Sequence, residues 1–286
     1  MEYKIDRPDD GVIRVRLPWP KADDEIWLML SSDRHFDSVK CNRNLMKQHL
    51  ELALQRNALI VDVGDFFDAM QGRYDPRRSY EELRSEYKTA TYLDDIVVDA
   101  AKFFAPYAKN FLMISRGNHD QTVLKNSGTD IISNLVHRLN TENDAKIALG
   151  GYGGWIKFIL SRESGESTSI NLKYYHGAGG DAPVTKGTIA TNRQAVYLPD
   201  ADIVVNGHSH NNYILPLARE RVTTAGKQIK DLIWFVRTPS YADGYGKGIS
   251  GFEVEKWMNP KPLGCVWVKI TQRNGRMNIQ MTSDLI

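Results

Sequence analysis

Five short apolar runs in this chain each stop at a cluster of Asp, Asn, Gly or His. "IWLML" leads into "SSDRHFD", "ALIVDV" into "GDFFD", and "NFLMIS" into "RGNHD". "SINLKYY" leads into "HGAGG", and "ADIVV" into "NGHSH". Short, continuously apolar runs suit strands buried on both faces. Helical patterns lie between them. Val39 to Gln55 places Leu45, His49 and Leu52 on one face. Tyr80 to Phe104 is charged and helical in pattern, with Pro106 as its stop. "TDIISNLVHRLN" is a helix capped by its Thr or Asp. In α/β sheets the ligand crevice lies at the carboxyl ends of the strands. Five polar clusters at strand ends therefore point at one place.

Other segments complete the layout. "GVIRVRL" alternates apolar and charged residues, as expected of a half-exposed edge strand. "GGWIKFIL" and "SINLKYY" read as strands around the polar turn "SRESGES". "YILPLA", "DLIWFVR", "GFEVEKW" and "CVWVKI" suggest a mainly antiparallel set over about residues 213–282. No repeat or linker interrupts the chain, so one domain over residues 1–286 is expected, with a helical insert at about 69–110. At 286 residues, 42% hydrophobic and 25% charged, the chain can bury a core without disulfide staples.

Composition excludes several classes. The net charge of +2 gives no whole-protein field for nucleic acid or membrane, so any polyanion binding must be local. Cys41 and Cys265 are far apart and outside CxxC spacing, which argues against a disulfide framework or a thiolate zinc site. They read as ordinary thiols of a reducing compartment. The N-terminus lacks the apolar core of a signal peptide, and no apolar run is long enough to span a bilayer. A cytoplasmic protein without a membrane partner is expected. The sequence sets no oligomeric state.

The polar clusters offer Asp33 and His35; Asp65 and Asp68; Asn118, His119 and Asp120; His176; and His208 and His210. Residues two apart share a side if the local backbone stays extended. Mixed oxygen and nitrogen ligation without thiolate suits manganese, iron, zinc or similar ions. Two such ions about 3.5–4 Å apart can hold the attacking and departing oxygens of an in-line phosphoryl displacement. Gly64, Gly117, Gly177 and Gly207 permit close backbone approach beside the clusters. Each residue also has an ordinary reading: a lone His35 suits a surface turn, and Asp68 suits a helix cap. His49 and His137 lie inside helical patterns and read as packing or surface residues.

The order "DRH", "GDFFD", "GNHD", "YHG", "GHSH" resembles the calcineurin-like metallophosphoesterase superfamily, whose pattern is D-x-H, G-D-x-x-D/H, G-N-H-D/E, H and G-H-x-H. The likeness spans Asp33 to His210 in family order. It implies a four-layer α/β/β/α sandwich of two mixed β-sheets flanked by helices. It further implies that Asp33, His35 and His210 hold one metal, and Asn118, His176 and His208 a second, with Asp65 shared. Manganese is expected first, with iron, zinc, nickel or cobalt as alternatives. A metal-bridging hydroxide would attack phosphorus in line. His119 would serve the leaving oxygen as proton donor, with Asp68 orienting it. Asp120 would support the ligands from behind. Arg34 and Arg116 stand close enough in sequence to contact a substrate phosphate, or else form structural ion pairs.

The substrate is less legible. Protein phosphatases of this kind carry G-D-x-x-D-R-G and G-N-H-E, whereas this chain has "GDFFDAM" and "GNHD". "GHSH" and "GDFFD" look more like the diesterase and exonuclease branch. A phosphodiester in a nucleotide or nucleic acid is therefore expected. A monoester, nucleotide or protein phosphatase is the alternative, and a non-catalytic scaffold on the same fold is another. Arg73, Tyr74, Arg77, Arg78 and Tyr80 combine cations with rings, or simply begin a solvated helix balanced by Glu81, Glu82 and Glu86. "GAGGDAPVTKGTIATNR" and "SYADGYGKGISG" read as substrate-facing loops or plain connections.

Overall fold

The apolar runs become the inner strands of two sheets. The computed structural model describes residues 3–21, 24–70, 82–180, 184–185, 187–223, 225–249, 252–273 and 276–286. Arg73, Tyr74, Arg77, Arg78, Tyr80 and Glu81 lie outside the described residues. The first half runs β1 (Lys4–Asp9), β2 (Val12–Pro18), β3 (Ile26–Ser31), α1 (Arg43–Gln55), β4 (Leu59–Asp62), α2 (Tyr92–Phe104), β5 (Phe111–Ile114), α3 (Asn118–Ser127), α4 (Ile131–Asn143) and β6 (Ala148–Leu149). The second runs β7 (Gly153–Ser161), β8 (Ser167–Tyr175), α5 (Thr188–Tyr197), β9 (Ile203–Asn206), β10 (Tyr213–Val222), β11 (Gln228–Arg237), α6 (Phe252–Glu255), β12 (Gly264–Arg273) and β13 (Arg276–Leu285).

One sheet has the order β1-β2-β7-β8-β9-β11-β10, the other β13-β12-β3-β4-β5-β6. Both are mixed: β3 to β6 run parallel, as do β8, β9 and β11, while β12 and β13 are antiparallel. Alternation sorts the side chains into three cores. Ile13, Val15, Leu28, Val61, Phe158, Leu172, Val205 and Val268 pack between the sheets. Ile60, Phe111 and Trp267 face outward beneath α1, α2 and α4. Val204 and Phe235 face outward on the other sheet, against Ala195 of α5. The result is a four-layer α/β/β/α sandwich. Among the described residues no helix is long and apolar enough to cross a membrane.

Several local expectations change. "GVIRVRL" is β2, which is interior to its sheet because β1 pairs along it. Its alternation reflects facing: Ile13 and Val15 enter the core, while Arg14 and Arg16 bind Asp6 at 2.8 and 2.6 Å. The helix expected from Tyr80 begins only at Tyr92. Residues ahead of it are tied elsewhere, with Arg84 donating to the carbonyls of Ser38 and Cys41 at 3.0 Å each. As expected, the α-helix stops at Phe104, ahead of Pro106; the chain continues as a 3-10 stretch, Ala105–Asn110, where the missing N–H of Pro106 is not needed. "GFEVEKW" contains a helical turn, not a strand: the carbonyls of Glu253 and Val254 accept from Met258 and Trp257. Residues 188–193 of the glycine-rich loop begin α5. The late strands are split, β10 and β11 in one sheet and β12 and β13 in the other.

Candidate functional site

The carboxyl ends of β3, β4, β5, β8 and β9 meet, and the chain turns sharply at each. Asp33, His35, Asp65, His208 and His210 all have positive φ, between 44° and 73°. The extended backbone expected at "DRH" and "GHSH" is therefore absent. Left-handed turns aim Asp33 with His35, and His208 with His210, at one crevice, while Arg34 goes the other way into the core. Two glycines make the crowding feasible. A Cβ on Gly64 (φ +105°) would lie 2.6 Å from Gly117 N, and one on Gly117 would lie 2.0 Å from Asp65 Oδ1.

Three ligand groups form, each with donor atoms within 4.8 Å of one another: Asp33, His35 and His210; His35, Asp65 and His119; and Asp65, His176 and His208. Asp65 thus lies within reach of both ends of the site. His176 Nδ1 donates to the Val63 carbonyl at 2.9 Å, leaving Nε2 to face the crevice. That Nε2 lies 3.2 Å from Asp65 Oδ2 and 3.1 Å from Asn118 Oδ1. Asn118 Oδ1 is also 2.6 Å from His208 Nδ1. With the amide oxygen inward, Asn118 Oδ1, Asp65 Oδ2 and His176 Nε2 crowd one point with excess negative character; turned over, the amide would donate to the same atoms. A cation resolves that repulsion, so this donor set fits a metal ion.

The other group passes the same test. Asp33 Oδ1 is buried and accepts no hydrogen bond. It lies 3.4 Å from His210 Nε2, which in turn is 3.3 Å from His35 Nε2. Asp33 Oδ2 is occupied, accepting from Ser32 Oγ and from His208 N at 2.9 Å. Charge balance is strongly perturbed. Burial alone would raise the Asp33 carboxyl, but His210 and His176 hold it well below the usual range. Asp65 is likewise held low against its burial, by His119 and His176. Burial opposes a charge on His176, yet Asp65 raises it to about 10. Burial, then His176, lowers His208.

His119 stands beside Asp65, with Nε2 3.8 Å from Oδ2. Its Nδ1 donates to the main-chain carbonyl of Asp68 at 2.7 Å. The Asp68 carboxylate is 3.7 Å from that nitrogen but only 2.9 Å from His35 Nδ1. Asp68 therefore orients His119 chiefly through its backbone and directs its charge at His35. Asp37, not singled out from the sequence, fixes this turn: its carboxylate accepts from Asp68 N at 2.6 Å, Ala69 N at 3.0 Å and the Tyr92 hydroxyl. Asp37 lies four residues after Asp33 in "DRHFD", but nothing local marks it as a support. Asp120 lies behind Asp65, accepting from Gly117 N at 2.9 Å and Phe67 N at 3.3 Å. Burial, followed by repulsion from Asp65, raises it to about 7.

The two arginines are structural. Arg34 has 0% exposure, bonds Asp62 at 2.6 Å and Ser31 Oγ at 2.7 Å, and is ringed by Phe66, Phe104, Phe111 and Tyr241. Its guanidinium is sealed from any substrate. Arg116 is held by Asp130 at 2.5 Å and the Gly150 carbonyl at 3.3 Å, bracing the loop before Gly117. His49 is buried against the Tyr241 hydroxyl at 3.0 Å, away from the site, and His137 is exposed on α4.

No protein-family model matches the chain, and no curated protein does. Solved structures overlap it loosely. Vacuolar protein sorting 29 of Cryptosporidium parvum is 12% identical, with 92% of this chain and 100% of that one covered, at a TM-score of 0.40. The calcineurin-like phosphoesterase YfkN of Bacillus subtilis is 12% identical, covering 91% and 90%, at 0.38. Vps29 of Entamoeba histolytica complexed with zinc is 9% identical, covering 90% and 99%, at 0.35. The chain resembles the calcineurin-like phosphoesterases. The order of its five polar blocks carries that resemblance.

Proposed function

We propose that this chain is a two-metal phosphoesterase whose preferred substrate is a phosphodiester. One observation carries the reading: carboxylate and imidazole ligand atoms converge in groups linked by Asp65, with His119 beside that carboxylate. Asp33, His35 and His210 would hold one ion, and Asn118, His176 and His208 the other, with Asp65 between. When bound, such ions supply positive charge against phosphoryl oxygens and make water a better nucleophile near neutral pH.

The remaining work falls to the chain's own side chains. Val63 fixes the His176 tautomer so that Nε2 faces the crevice. The Asp68 carboxylate, 2.9 Å from His35 Nδ1, sets negative charge beside that ring. His119, held through Nδ1 by the Asp68 carbonyl, presents Nε2 to the crevice and can protonate a departing alkoxide there. The preference for a diester rests on the likeness of "GDFFD" and "GHSH" to the diesterase branch.

The test is hydrolysis of bis(p-nitrophenyl) phosphate with added manganese, before and after chelation, beside p-nitrophenyl phosphate. Metal-dependent turnover with the diester faster is expected. No turnover with manganese, iron, zinc, nickel or cobalt, or turnover indifferent to His119→Asn, would sink the enzyme reading and favour a scaffold. Faster monoester turnover would overturn the diester preference alone.

A further inference from the structure

A cavity of about 430 Å³ opens beside the His176 and His208 end of the site. That volume lies in the range of small-ligand pockets, roughly 300–1,000 Å³. Its floor continues the site directly. Gly177 follows His176, and Asn206 precedes the Gly207-His208 turn. A Cβ on Gly177 would lie 2.8 Å from His208 Cβ, so cavity and ligand cluster share a wall.

The floor is braced. Tyr152 donates to the Gly177 carbonyl at 2.6 Å and meets the Tyr175 ring edge-on at 5.5 Å. Asn206 Nδ2 donates to the Tyr175 carbonyl at 2.9 Å, and Arg237 Nη1 to the Gly207 carbonyl at 2.8 Å. The opposite wall is α5, which presents Ile189, Arg193, Gln194 and Tyr197. This wall leaves apolar surface in water: Ile189 is 53% exposed and Tyr197 64%. Packing of α5 does not account for them, since the helix meets the sheet through Ala195 and is anchored by Thr191 on Tyr213 at 2.6 Å.

Aromatic and aliphatic surface, a guanidinium and a side-chain amide along one braced cleft suit a planar heterocycle attached to a phosphate. Rings stack on bases, guanidinium pairs with anionic oxygens, and the amide can read a base edge. His119, assigned to the leaving oxygen, is not on this wall. We propose that the cavity holds the nucleoside arm of a phosphodiester, the arm retained on phosphorus, with its base against Tyr197 and Arg193. This rests on the phosphoesterase reading and narrows it to nucleotide diesters.

Thymidine 5′-(p-nitrophenyl phosphate), whose thymidine stays on phosphorus as p-nitrophenolate leaves, is compared with bis(p-nitrophenyl) phosphate under manganese. The wild type should favour the thymidine ester in kcat/KM. Tyr197→Ala should cut that preference roughly 5- to 100-fold, the range of a lost base-stacking contact, and Arg193→Ala should also cut it. Calorimetric titration with thymidine 5′-phosphate should show weaker binding in both variants. Both side chains are exposed, and bis(p-nitrophenyl) phosphate reports whether each variant is folded. Failure to hydrolyse either ester overturns the phosphoesterase reading and this one with it. Turnover of both esters without preference, or a preference and a nucleotide affinity that survive both substitutions, overturns the nucleoside assignment alone.

Discussion

Gly117 is the position where one carbon should do the most damage. It precedes α3, and its Cα hydrogen faces Asp65. A Cβ there would lie 2.0 Å from Asp65 Oδ1 and 2.3 Å from Asp65 N, where contacts under 3.0 Å are essentially never seen. Relief requires a shift of about 1 Å. The backbone cannot easily slide, because Gly64 is packed against Gly117 with no room for a Cβ of its own. The carboxylate must therefore move, and Oδ1 would lose its 2.9 Å bond from His119 N. Overpacking of this kind costs about 1–3 kcal/mol. Displacing a catalytic group by ~1 Å costs turnover on the order of 100-fold. The assay pairs thermal unfolding, with and without manganese, with kcat/KM on bis(p-nitrophenyl) phosphate. Gly117→Ala should unfold several degrees lower, at about 2–4 °C per kcal/mol. It should also lose most of its turnover and much of its stabilisation by metal. Gly151→Ala is the control, since its Cβ would meet only a carbonyl at 3.4 Å. Turnover of Gly117→Ala within about threefold of wild type, with an intact metal shift, would refute the reasoning.

Other outcomes separate the roles of neighbouring residues. Manganese at 100 times its dissociation constant should stabilise the protein by ~2.7 kcal/mol, and His119→Asn should keep that shift while losing roughly 10²–10⁴ in rate. Asp33→Asn should lose the shift; a retained shift would remove Asp33 from the ligand set. Arg34→Ala should cost about 3–5 kcal/mol by stranding Asp62 in the core, while the paired Arg34→Met, Asp62→Leu change should cost less than Arg34→Ala in chemical denaturation. If the double variant is the less stable of the two, the ion pair is not the reason Arg34 matters. Asp120 has a folded value of about 7 against an ordinary 3.8. Between those values the native state holds a proton that the unfolded chain has released. Its contribution is therefore full below pH 3.8 and lost as pH rises through 7, at up to about 1.4 kcal/mol per unit. Asp120→Asn should gain on wild type between pH 5 and pH 8 in denaturation midpoints; a constant gap would show that Asp120 is not the titrating group.

Much of the architecture was legible because its signals are local. A continuously apolar run such as "ALIVDV" marks a strand covered on both faces, and the polar cluster after it marks where the cover ends. The position of β2 was not local: it depends on β1, whose "KIDRPD" is too polar to announce a strand. Nor was the fate of Arg34, which sits between two candidate ligands in sequence but is turned into the core by left-handed residues on both sides. The two-residue spacing placed Asp33 with His35, and His208 with His210, on one side through extended chain, but left-handed turns are what aim them at one crevice. Asp68 shows the remaining gap. Its sequence spacing suits His119, but only the folded turn reveals that its carboxylate lies nearer His35.

The left-handed turns at Asp33, His35, Asp65, His208 and His210 bear on how such a chain can drift. Each holds a side chain in a region that glycine enters most easily, while Asn, Asp and His tolerate it better than other side chains. Ligand chemistry is what favours histidine over glycine at positions 35, 208 and 210. A descendant released from metal binding, and serving only as a binding surface, could exchange these histidines for glycine at little cost to the turns. In homologues, the left-handed positions should therefore record the loss of chemistry before the core or the sheets do.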